Sequence, residues 1–183
     1  MRWLAALVLF AAGCSQPALS VEAYADAMEG VADAYVAESQ DLSARYQASV
    51  EDDVKAMVKQ SPPDPEAVAV EIASSATINY LAVLADAMQR FIEGMEALRP
   101  PPAVRASHEE FITAVRSVHR AIPSTRDAVL EADSIESVGF ALTSSGFADG
   151  QIRWTAACAA LEAATRGLGT GLDLGCVRPV VTP

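Results

Sequence analysis

Aromatic residues make up only 6% of this 183-residue chain, although half of it is apolar, and alanine supplies much of the apolar share. Sheet-based cores draw on aromatic and β-branched side chains, so the balance argues against a β-sandwich and for helices packed through small residues. Basic residues are also scarce: 13 Lys and Arg stand against 24 Asp and Glu, for a net charge of −11. They form no cluster that could neutralise phosphates, which removes nucleic acid from the expected partners. The acid is concentrated early, with fifteen acidic and five basic residues between positions 20 and 99. On helices such charge reads as a solvated face. The one acidic triplet, Glu51-Asp52-Asp53, lies within a helical pattern and not in the oxygen-rich loop that calcium requires.

Long apolar runs are missing at the N-terminus as well. MRWLAALVLFAAG carries one positive charge at Arg2 and ten apolar residues at 3–12, about half of the 20 or so that cross a bilayer as a helix. This is the layout of an export signal, which is set aside from fold reasoning. The residues Phe10-Ala11-Ala12-Gly13-Cys14 resemble the lipobox of bacterial lipoproteins, in which small residues precede a cysteine that is acylated and becomes the first mature residue. Ala12, Gly13 and Cys14 match that pattern, and Ala11 departs from its usual leucine. The resemblance covers about the first 15 residues. It implies a signal peptide at 1–13, lipidation at Cys14, a tether at 14–19 and an extracytoplasmic protein held on the cell membrane or outer membrane by its lipid. Two alternatives stand beside it: Ala11-x-Gly13 is compatible with ordinary signal-peptidase cleavage, which would leave Cys14 a free or intermolecular thiol, and the segment could stay as an uncleaved anchor. An acidic domain gains nothing from anionic headgroups, so attachment falls to the lipid, the only covalent group expected.

Cysteine is rare too, and its count of three is odd. If Cys14 carries lipid, Cys158 and Cys176 remain as a pair, and export favours their disulfide over two reduced, buried thiols.

Behind the tether, apolar residues recur at threes and fours from Ser20 to about Gln60, with allowance for a kink near Gly30 or Gln40. Pro62, Pro63 and Pro65 break the pattern, with Asp64 placed to cap a second long helix that ends before Pro100-Pro101-Pro102. A third helix carries Val104, His108, Phe111, Ile112, Val115, Val118 and Ile122. Pro123 should kink or end it, with Ser124 capping a continuation. A fourth helix is expected at 134–145 and a last one at 149–166, closed by Gly167 as C-cap. The whole reads as an all-α antiparallel bundle of four to five helices, two of them long, occupying 20–178 as one domain. The tail folds back along the last helix, and residues 179–183 trail from it.

Chemistry is harder to find. His108 and His119 are three turns apart on one helix, about 16 Å at 1.5 Å per residue, too far to share a metal ion. No Glu-x-x-His motif accompanies them, since Arg105 and Arg116 stand three residues before. GLGTGLDLG follows a helix where a phosphate-binding loop would follow a strand, so those glycines read as the turn that brings Cys176 back toward Cys158. No serine, cysteine or carboxylate is tied by spacing to a base. The expectation is therefore a binding or scaffolding module of the cell envelope, with an envelope protein as partner and no catalytic residue or metal. The alternative is a bundle that binds a small molecule or metal near His108, His119, Tyr80 or Trp154 in sensing or transport; an enzyme comes third.

Overall fold

The structure, a computed structural model, describes residues 18–144 and 146–176. The export-signal segment 1–13, Cys14 and residues 177–183 lie outside the described residues. Those described form five helices and no strand: α1 (Val21–Gln60), α2 (Pro65–Ala97), α3 (Arg105–Leu130), α4 (Ile135–Ser144) and α5 (Phe147–Arg166).

The caps explain most of the boundaries. Ser20 Oγ accepts from the Ala23 N–H at 3.2 Å and starts α1. That helix runs 40 residues without interruption at Gly30 or Gln40, and ends where Ser61 turns left-handed at φ 48°. Asp64 Oδ1 accepts from the Ala67 N–H at 3.0 Å, and Pro65 takes the first position of α2, where no N–H is needed. Ser134 Oγ accepts from the Ser137 N–H at 3.1 Å to open α4.

Pro123 neither ends α3 nor starts a capped continuation. The helix passes through it, although an interior proline costs one backbone hydrogen bond and a steric clash, about 3 kcal/mol. Burial of Ile122, Thr125 and Val129 around it holds the helix together. Ser124 is not a cap: its Oγ donates back to the Ala121 carbonyl at 2.9 Å, as does Thr125 Oγ1 at 2.8 Å. The last helix begins at Phe147, two residues earlier than expected, because Gly146 makes the turn at φ 78°.

α3 sits centrally, against α2, α4 and α5, while α1 packs chiefly along α2. Four of the nine Phe, Tyr and Trp residues among those described meet where four helices come together. Phe91 stacks on Tyr35 at 4.7 Å and meets Trp154 at 5.9 Å and Phe111 at 6.1 Å between ring centroids, which ties α1, α2, α3 and α5 together. α5 approaches α3 closely at Gly150, where a Cβ would lie 3.2 Å from the backbone N and Cα of Val118.

The C-terminal tail folds back as expected: Gly167 is the C-cap of α5, with helical backbone at φ −61°, and the turn follows it. Gly169 turns left-handed at φ 87°. Around it the Thr170 N–H donates to Thr165 O at 3.3 Å and the Gly169 N–H to Arg166 O at 3.0 Å, the paired bonds of a Schellman motif. Leu172 then enters the core, and the Asp173 N–H donates to Glu29 Oε1 on α1 at 2.9 Å.

Candidate functional site

The four side chains considered as ligand candidates sit in different surroundings. His108 is buried in the core, where its Nδ1 lies 2.8 Å from the Tyr24 hydroxyl, and a hydrogen bond with the Met95 backbone also engages the ring. A neutral imidazole satisfies both, accepting from the phenol at Nδ1 and donating to the Met95 carbonyl. Burial pushes the His108 pKa below its ordinary value, against smaller upward pulls from Glu109 and the Met95 bond. Burial likewise raises the Tyr24 phenol. The pair is a satisfied polar contact between α1 and α3.

His119 is half-buried elsewhere, beside a surface depression of about 220 Å³ shared with Gln89, Ile92, Glu96, Arg116 and Arg120. Arg116 is already paired with Glu96. Tyr80 packs edge-to-face on Tyr46 at 5.3 Å. Trp154 belongs to the aromatic cluster, 5.8 Å from Tyr35. A second depression, about 370 Å³, runs between α1 and α2 along Ala27, Gly30, Ala34, Tyr35 and Phe91, with the Glu38–Arg90 ion pair on its lining.

The cysteines do converge. The tail carries Cys176 onto α5, in disulfide contact with Cys158 at a Cα separation of 6.0 Å. Glu162, one turn beyond Cys158, receives the Leu174 N–H on Oε1 at 2.9 Å and has that same oxygen 3.2 Å from Cys176 Sγ. Sequence reasoning missed Glu162, although its i,i+4 relation to Cys158 was there to be read.

The α1–α2 hairpin extends beyond the core. Leu42 is the last buried residue of α1 and Ala76 the first of α2, and no residue from 43 to 75 is buried. The pair therefore continues as an arm of about 27 Å, at 1.5 Å for each of the last 18 residues of α1. α2 also contains an 18-residue apolar stretch, longer than the segment 65–75 that it contributes to the arm. Along the arm Val68, Val70 and Ile72 are half-buried, and on α1 Val54 and Val58 are 39% and 68% exposed. By length and composition α2 could cross a bilayer, but its second half lies in the core, where Leu81, Met88, Phe91 and Met95 are buried. The arm is also acidic, with six Asp or Glu and three Lys or Arg over 43–75. Its tip lies at the far end from the N-terminus, where the Leu19 N–H donates to Arg99 O at 3.2 Å.

Comparison with family models, with curated proteins and with solved structures finds no match for this chain.

Proposed function

We propose that the protein is a lipid-anchored, extracytoplasmic binding module that presents the α1–α2 arm to a partner protein of the cell envelope. The observation that carries this reading is a projecting arm with no buried residue over 43–75, on which Val54 and Val58 stand exposed. Val54 and Val58 stand one turn apart on α1, and exposed apolar side chains grouped in this way mark interaction sites. The flanking acid favours a partner whose apolar ridge is rimmed by basic side chains, since complementary charge selects and orients a docking surface. Attachment at Cys14 would fit this geometry. Cys14 stands seven residues before Val21 in the chain, and 40 residues at 1.5 Å put the far end of α1 about 60 Å from its start. The anchor and the recognition surface would then occupy opposite ends of one rod.

Cell fractionation with intact mass analysis tests the anchor. The wild-type N-terminus should begin at an acylated Cys14 in the membrane fraction, and Cys14→Ala should move the protein to the soluble fraction. An unacylated wild-type N-terminus, or identical partitioning of the two, would overturn the anchor. For the arm, Val54→Glu with Val58→Glu should abolish partner retention while leaving the melting temperature within a few degrees, because both side chains are exposed. Retention unchanged by the double substitution would overturn the assignment.

A further inference from the structure

Cys158, Glu162 and Cys176 are the only three metal-ligating side chains clustered among the described residues, with ligand atoms all within 4.8 Å of one another. We infer that reduction of the disulfide converts this cluster into a site for one zinc ion, held by two thiolates and the Glu162 carboxylate.

The geometry needs little rearrangement. Cys158 and Glu162 are four residues apart on α5 and so share a face of the helix. Two sulfurs bound tetrahedrally at about 2.3 Å from zinc stand about 3.8 Å apart, a spacing that a Cα separation of 6.0 Å accommodates. The sulfur that must retreat belongs to Cys176, which follows Gly175 at φ 67° on the tail and is only half-buried, while Cys158 stays fixed in the core. Glu162 is already aimed: its Oε1 faces Cys176 Sγ and is oriented by the Leu174 N–H, the kind of supporting bond that holds a ligating carboxylate in place. The residue is only 9% exposed, so a cation would offset the cost of a carboxylate withdrawn from water. A water molecule would complete four-coordination.

The chemistry balances with a dithiol reductant. It gives two electrons and two protons to the protein disulfide and becomes a disulfide itself, leaving Cys158 and Cys176 as thiols. Zinc then displaces both thiol protons to solvent, forming two Zn–S bonds and one Zn–O bond at a site of net charge −1. Because ligand deprotonation is part of binding, affinity falls as pH falls. The disulfide and the metal are thus alternative cross-links between the same tail and the same helix, selected by redox state.

The test uses the full chain with Cys14→Ala, so that only the two cysteines of the cluster remain. Protein reduced with a phosphine and protein left oxidised are each titrated with zinc, with stoichiometry read by native mass spectrometry. Cobalt(II) is then substituted to reveal thiolate-to-metal charge-transfer absorption. The reduced chain should take one zinc and show the absorption, and the oxidised chain should take none. Glu162→Gln should weaken zinc at least tenfold, and Cys176→Ser should lose the two-thiolate spectrum. No stoichiometric zinc on the reduced chain, equal binding by the oxidised chain, or unchanged affinity in Glu162→Gln would overturn the inference. The oxidised and reduced arms share one sequence, so the comparison stands even where a cysteine variant fails to fold.

Discussion

Acid should weaken this fold through His108 in a way that can be isolated from its other titrating groups. The folded-state pKa of His108 is depressed by burial, so the unfolded chain takes up the proton more readily than the native one. The stability this contributes is fully present above the unfolded value near 6.5 and is lost as pH falls below it toward the folded value. Between about pH 7.5 and about pH 5.5 the unfolded imidazole passes from mostly neutral to mostly charged. If the native ring stays neutral throughout, the loss is RT times the logarithm of about ten, or at most about 1.4 kcal/mol. The structural basis is direct, because His108 is 3% exposed and a second ring proton at Nδ1 would point at the Tyr24 hydroxyl, itself 0% exposed. Urea denaturation followed by far-UV circular dichroism, at both pH values, on wild type and His108→Gln, isolates the contribution. The wild type should lose up to about 1.4 kcal/mol more than the variant over this interval. Tyr24→Phe, which strips the donor from Nδ1, should cost about 1–3 kcal/mol at neutral pH. Equal pH dependence in wild type and His108→Gln, or a fully stable Tyr24→Phe, would refute the reasoning.

Gly150→Ala should destabilise by about 1–3 kcal/mol despite the gain in helix propensity, because the new methyl meets the Val118 backbone, which cannot yield; a raised melting temperature would contradict the close approach. Gly94→Ala should be milder, since its Cβ meets only the Val31 side chain, and calorimetry of the two side by side checks the contrast. Reducing the Cys158–Cys176 bridge in the presence of a chelator opens a loop whose ends are 18 residues apart. It should cost about 3 kcal/mol, or about 6–12 °C in a domain of this size; coincident melting curves would show that the bridge does not form.

The fold was largely legible because its boundaries are written in caps. Ser20, Asp64 with Pro65, and Ser134 announce helix starts by local hydrogen bonding that needs no tertiary context. Where tertiary burial competes with local chemistry, the local signal fails. Pro123 was free to kink or end α3, and it does not end it: the buried Ile122 and Thr125 carry the helix through. Gly167 closes α5 as its position suggested, while the exact turning residue, Gly169, is set by the packing that lets Leu172 reach the core. The histidines show the same limit: spacing placed His108 and His119 on one side of a helix, while only packing decides that one faces Tyr24 and the other a surface depression. The arm was illegible for a different reason. Its residues follow the same threes and fours as the core segments, and periodicity identifies an apolar face without saying whether anything covers it.

The most direct measurement of the central claim is a photo-cross-linking residue placed at Val58 on the arm, with the same residue at exposed Ile152 on α5 as control. In cells producing wild-type levels of the protein, irradiation should give one discrete adduct from position 58 and none from 152, and the Val58 adduct should disappear when Val54 is also changed to Glu. Equal labelling from both positions, or no adduct at 58, would contradict a docking role for the arm.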